Sequence, residues 1–210
     1  LGLQTVIDFV RTLSVVGAFK GKAQAFNAGD FWKHSIAVGV IAKLLHDRKE
    51  ISSKIDTGED DPFMAGMVHD IGKQVLGHFF NEMYQMVLDE MKGGSTMYDV
   101  ELDVLGITHA NIGAGLAQKW QLPGMLGAVI GSHHEPTSDD ANPMTQLIHI
   151  SDAFSKVTGF AFGEKIDTIQ VDEALLESIE LPPEVLEELK TELDSTIRTQ
   201  VNDTFSAIFK

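Results

Sequence analysis

The chain has 210 residues with 43% hydrophobic content, enough for one sizeable core, and a single domain over residues 1–210 is expected. Its 31 acidic against 16 basic residues give a net charge of −15, which disfavours long nucleic acid and anionic membranes as partners, since both demand clustered Lys and Arg. There is no cysteine, which excludes disulfides and thiolate metal sites and accords with a reducing, cytoplasmic compartment.

The apolar spacing is helical almost throughout, and no stretch alternates with period two for long enough to build a sheet, so the fold class is all-α. Leu3, Val6, Ile7, Val10, Leu13 and Val16 recur at three and four, as one buried helix face requires. The chain opens already inside this pattern and without a signal peptide, which reads as an excerpt of a longer protein lacking its N-terminal portion. Asp30 is the expected N-cap of a helix from Phe31 to about His46, with Ile36, Val40, Ile41, Leu44 and Leu45 as its inward stripe. The apolar run Ile36–Ala42 falls far short of the ~20 residues a membrane span needs. Ser52 to Asp61 is polar and acidic and reads as a loop. Pro62 then opens a helix carrying Phe63, Met64 and Met67 down to His69.

Further helices are expected over Asn81–Met91, Val100–Leu105, Ala110–Trp120, Met125 to about His133, and Met144–Thr158. Gly93-Gly94, Gly106, Pro123-Gly124 and the stretch Glu135–Pro143 mark the breaks. After Gly163 the character changes. A short helix is expected near Val171–Ile179, and Pro182-Pro183 opens a long acidic amphipathic helix to the C-terminus, its charge a solvated face.

The chemistry lies in polar residues near helix ends. His69-Asp70 puts an imidazole beside a carboxylate, and two such ligands can grip one divalent ion; His34, His109, His133, His134 and Asp152 are further candidates. With no thiolate and several imidazoles, the donor set suits Zn, Mn, Fe or Ni better than Ca or Mg. If Asp70 bridges two ions, His34, His69 and Asp152 complete one, and His109, His133 and His134 complete the other. Two ions about 3.5–4 Å apart activate water near neutral pH and clamp a phosphoryl oxygen. Lys73, four residues after His69, shares its face if that helix continues and could meet a phosphate as a point charge.

Each piece alone has a bland explanation. A single His beside an apolar stretch is ordinarily a hydrogen-bonded structural residue, and His46, His78 and His149 are read so. Lys73 after Gly72 could be a helix-end charge, and Met64, Met67, Phe79 and Phe80 read as core. Joint occurrence carries the weight.

Taken in order, Phe31-Trp32-Lys33-His34-Ser35, Ala65-Gly66-Met67-Val68-His69-Asp70-Ile71-Gly72-Lys73, Thr108-His109-Ala110-Asn111-Ile112-Gly113, Trp120-Gln121-Leu122-Pro123, Ser132-His133-His134-Glu135-Pro136 and Ile148-His149-Ile150-Ser151-Asp152 resemble the HDOD branch of the HD superfamily. The resemblance spans about residues 1–160. It implies a multi-helix HD-domain bundle and a bacterial signal-transduction or output domain, with signalling proteins as partners. It also implies an alternative, a metal-dependent phosphohydrolase or phosphodiesterase acting on a nucleotide or cyclic dinucleotide. Many HDOD domains have lost HD ligands, whereas this chain keeps a candidate at each position: His34, His69, Asp70, His109, His133, His134 and Asp152. The c-di-GMP-hydrolysing HD-GYP group carries a Gly-Tyr-Pro motif that does not follow His133-His134-Glu135 here; Pro136-Thr137-Ser138-Asp139-Asp140-Ala141-Asn142-Pro143 stands instead.

Overall fold

The computed structural model describes residues 25–91, 96–162 and 169–209, and every regular element among them is helical. The amphipathic segment Leu3–Val16, the Gly93-Gly94 break and the change of character at Gly163 lie outside the described residues.

Helix α1 (Ala28–His46) is the centre of the molecule, packing against α3 (Pro62–Val68), α9 (Pro143–Ser155) and α11 (Pro183–Phe209). It is buried nearly all round, with Ala37, Val38 and Ala42 inward as well as Ile36, Val40, Ile41 and Leu45, because neighbours cover several of its sides; Leu44, expected in the stripe, is only half-buried. Its cap is Asn27, whose side chain accepts from the Gly29 N–H, not Asp30, which sits in the first turn where a carboxylate favours the helix dipole. Helices α1 and α3 cross closely. A Cβ on Gly39 would come within 2.7 Å of the Phe63 carbonyl oxygen, and one on Gly66 would meet the Gly39 backbone. This approach brings His34 on α1 to the end of α3, where His69 stands.

The polar loop expected at Ser52–Asp61 is preceded by a one-turn helix, α2 (Lys49–Ser52), and is pinned by buried Ile51 and Ile55. Pro62 opens α3, as read from the sequence, and Asp61, the last residue of the expected loop, caps it by accepting from the Phe63 N–H. That helix then stops at Val68, and a separate helix, α4 (Ile71–Phe79), starts beyond Asp70. Its two internal glycines mask it in the sequence, each costing about 1 kcal/mol of propensity that packing overrides.

Helix α5 (Asn81–Glu90) pairs with α6 (Met97–Leu105), which starts a turn earlier than the apolar pattern indicates because Thr96 caps it. Helix α7 (His109–Lys119) starts on a capping box between Thr108 and Asn111 and packs on α4 and α8 (Gly124–Ser132). Helix α9 begins on a second box, Asn142 with Thr145, and passes at Lys156–Phe160 into a π-type turn. After α10 (Glu173–Ser178), the long helix α11 buries Leu186, Leu189, Leu193, Ile197 and Val201 and leaves its acids in solvent. Trp32 of α1 stacks on Phe209 near its end.

Two residues expected in the core are outside it. Met64 and Met67 are buried, but Phe79 and Phe80 are 64% and 48% exposed, because the chain turns from α4 into α5 there and the junction points outward.

Candidate metal centre

The interruption between α3 and α4 makes the site. His69 closes α3, Asp70 follows in non-helical backbone, and the bend aims both side chains inward, each 1% exposed. Gly72 lets α4 lie directly on the start of α7, for a Cβ there would fall on the His109 carbonyl oxygen. His109 is therefore delivered at the first position of α7, His133 at the close of α8, His134 next to it, and His34 from the second turn of α1.

All of these converge on Asp70. Its Oδ1 stands 3.1 Å from His109 Nε2 and 3.5 Å from His133 Nε2; its Oδ2 stands 3.3 Å from His34 Nε2 and 3.4 Å from His69 Nε2. His134 Nε2 lies 3.0 Å from His109 Nε2. Two groups have ligand atoms all within 4.8 Å of one another: Asp70, His109, His133 and His134, and separately His34, His69 and Asp70. Asp152 touches this arrangement at one point, its Oδ1 3.4 Å from His34 Nε2, and lies outside the mutual radius of that second group.

The other ring nitrogens explain the arrangement. Nδ1 of His69 faces the Gly66 carbonyl at 2.8 Å, that of His34 the Phe160 carbonyl at 3.0 Å, and that of His133 the Val129 and Ile130 carbonyls at 3.1 and 3.2 Å. A carbonyl only accepts, so each Nδ1 carries the hydrogen, and in the neutral ring Nε2 is left as a lone pair. Lone pairs from three imidazoles thus point at a carboxylate, and His69 Nε2 and Asp70 Oδ1 are buried with no hydrogen-bond partner among the described residues. Such a set repels itself unless a cation lies within. Ligands about 2.1 Å from one ion, at angles of 90–110°, stand roughly 3.0–3.4 Å apart, close to the spacing seen here. The buried His/Asp cluster therefore fits divalent metal.

Glu101 on α6 was not legible as a site residue. It is fully buried, and its Oε2 accepts from the His109 backbone N–H at 2.7 Å and from His109 Nδ1 at 2.6 Å. No sequence signal marks it, since it comes from a different helix eight positions away. His149, read as structural, is so: it donates from Nδ1 to the His133 carbonyl at 2.8 Å and accepts the Asp172 N–H on Nε2 at 3.0 Å, holding the backbone of a candidate ligand. His46 is likewise structural, its Nδ1 3.2 Å from Thr57 Oγ1.

Lys73 stands otherwise than a continuous helix from His69 would place it. It enters from the first turn of α4, buried, with Nζ 2.7 Å from Asp70 Oδ2. Lys156, four residues after Asp152, pairs with Asp152 Oδ2 at 3.1 Å nearer the surface.

Burial opposes the charge of Asp70, but the neighbouring His69, Lys73, His109 and His133 outweigh it and hold its carboxyl well below the usual range. Asp152 is likewise lowered against burial, chiefly by Lys156 and His34. Burial also opposes the charge of Lys73, yet Asp70, Asp152 and Glu101 push its pKa up. Burial lowers His133 to about 4 and His134 well below the ordinary value, leaving both as neutral donors. His109 goes the other way, because Glu101 overcomes the cost of burial. At the rim, Tyr98 packs against His134 and donates to Glu135 at 2.9 Å; burial and that bond raise its hydroxyl to about 12.

An all-helical bundle gathering histidines around a His-Asp doublet defines the HD-type class. The HDOD domain model matches residues 1–136, and the chain belongs to the HDOD family. Among solved structures it is similar to an HDOD domain protein of unknown function from Geobacter sulfurreducens, at 21% identity and TM-score 0.75, covering 100% of this chain and 72% of that one. It is also similar to a presumed phosphohydrolase from Shewanella amazonensis, at 20% identity and TM-score 0.65, covering 96% of this chain and 74% of that one. A presumed signal transduction protein from Marinobacter aquaeolei is similar at 18% identity and TM-score 0.66, covering 91% of this chain and 41% of that one. At these identities the likeness is one of fold. No curated protein matches the chain. No helix among the described residues is long and apolar enough to cross a membrane.

Proposed function

We propose that this chain is a bacterial HDOD signalling domain, acting in the cytoplasm, whose buried centre holds two divalent transition ions and whose output is contact with a partner protein. His34, His69 and Asp70, with Asp152 beside His34, would hold one ion; Asp70, His109, His133 and His134 would hold the other. Fe, Mn, Zn and Ni all suit this nitrogen-and-oxygen set. The observation that carries the reading is the set of Nε2 lone pairs aimed at the two oxygens of Asp70. Ions bound there would tie α1, α3, α7 and α8 together, so that their presence adds to folding stability. Protein purified anaerobically should contain about two equivalents of transition metal by elemental analysis. Metal-free protein whose melting temperature does not respond to added Mn, Fe, Zn or Ni would overturn the reading.

A second reading, hydrolysis of a nucleotide or phosphodiester, is favoured by the ligand set and by the two lysines. Bound ions would supply Lewis acidity and an activated water. In the chain itself, Lys156 lies near the surface to meet a phosphate, and Lys73 adds charge behind it by releasing Asp70. The loop after His134 speaks against c-di-GMP itself. Turnover should then require Mn or Fe and vanish in His69→Ala. Absence of turnover across cyclic dinucleotides, cyclic mononucleotides and nucleoside phosphates leaves the signalling reading in place.

A further inference from the structure

Six large hydrophobic side chains are exposed among the described residues, and all fall between positions 79 and 107: Phe79, Phe80, Met83, Met86, Leu102 and Ile107, each 42–64% exposed. Large apolar side chains gathered in one segment mark interaction surfaces far more often than scattered single ones do. Met83 and Met86 stand one turn apart on α5, beyond the exposed Phe79 and Phe80, and Met86 reaches into a groove of about 430 Å³ between α5 and α6. Val100 and Val104 form the apolar part of that groove and Asp89, Glu90 and Asp103 its polar part, and among the described residues no basic side chain lines it.

We infer that the α5–α6 face is the docking site for a basic amphipathic helix of a partner protein; this rests on the reading of the chain as a domain that works by contact. Methionines suit such a role because their unbranched, polarisable side chains adapt to the helix laid on them. Charge selects the occupant. A second copy would bring its own −15 and the same carboxylates against these, whereas a helix with Leu on one face and Lys or Arg on the other matches the groove in both respects. The same helix α6 that lines this groove with the exposed Asp103 also buries Glu101 against His109. A partner that shifts α6 therefore moves the residue that holds a candidate ligand.

The test uses the full chain and a fluorescein-labelled peptide of about 18 residues with leucines at i, i+3, i+4 and i+7 and lysines elsewhere, beside a counterpart with glutamates for lysines. The lysine peptide should bind saturably at one site and the glutamate peptide should not. The double substitution Met83→Gln and Met86→Gln, at exposed positions and neutral in charge, should weaken binding at least about tenfold with an unchanged thermal melt. Glu184→Gln with Glu188→Gln on α11 should leave it unaltered. Absence of binding, or weakening by the α11 pair but not the methionine pair, overturns the proposal, since the attraction is then diffuse charge. A dimer in sedimentation that the methionine variant dissociates also overturns it in favour of a second copy. Titrations with chelator-treated and metal-supplemented protein separate the two readings. Specific peptide binding by a chain that takes up no metal sinks the metal centre and leaves the docking face standing.

Discussion

Glu101 Oε2 accepts two hydrogen bonds from one residue, His109, from its backbone N–H at 2.7 Å and from its ring Nδ1 at 2.6 Å. That pairing orients the imidazole and fixes the hydrogen on Nδ1, so that Nε2 faces Asp70. Glu101→Gln keeps the shape but loses the charge and offers an N–H that competes for the same space. Metal affinity should fall by about 10–100-fold in chelator competition. In metal-free protein, ¹⁵N spectra should show the His109 tautomer becoming mixed. Unaltered affinity and an unaltered tautomer would mean that Glu101 only fills volume.

Asp70 is shared by both candidate groups and also neutralises Lys73 at 2.7 Å. Asp70→Asn removes the bridging charge and leaves a buried ammonium without its counter-ion, a change that costs about 3–5 kcal/mol when a buried pair is broken. Urea titration of metal-free variant and parent should show that loss, and elemental analysis should find the variant nearly free of ions. Retention of a full metal complement would remove Asp70 from the bridging position.

The helices and the doublet were legible because they are local. Apolar spacing marks α1, α7 and α11, and Pro62 and Pro183 mark helix starts by fixing the first helical φ. The candidate ligands were legible because their types are rare and recur near helix ends. What was not legible depends on contacts between distant segments. Glu101 meets His109 across the turn between α6 and α7, and α4, which starts beyond the break at His69-Asp70, docks on α7 with no proline at the break to mark it. Phe79 and Phe80 look like core in any pattern reading, and only the turn between α4 and α5 turns them outward.

Gly72 and Gly115 make a matched pair for testing that docking. A Cβ on Gly72 meets the His109 carbonyl oxygen, while one on Gly115, within α7, meets nothing within 4 Å. Gly72→Ala should push α4 off α7, cost roughly 1–3 kcal/mol as overpacking does, and weaken metal binding by moving Asp70 from His109. Gly115→Ala should stabilise by about 0.5–1 kcal/mol through helix propensity, with affinity unaltered. Equal behaviour of the two variants in chemical denaturation would show that the close approach does not constrain the site.

The pH response of chelator-treated protein follows from which groups resist protons. His133 is held at about 4 against an ordinary 6.5, and burial lowers His134 and His149 as well. The unfolded chain takes up protons on these rings near pH 6.5 while the folded chain refuses them, so each contributes stability above 6.5 that is lost as pH falls toward its folded value. His109 has the opposite sign: Glu101 raises its pKa, so its contribution is present below 6.5 and lost as pH rises through the higher folded value. Three lowered rings against one raised ring make acid the destabilising direction between pH 6.5 and about 4. His133 alone accounts for a loss on the order of 3 kcal/mol, and Asp70 and Asp152, both lowered from 3.8, extend the loss below that pH. Metal-loaded protein should fall more steeply, because protons then compete with the ions for the same Nε2 atoms. Melting temperatures measured from pH 7.5 to 4.5 should decline for the parent and decline less for His133→Gln; parallel curves would show that the His133 ring is not the group that titrates.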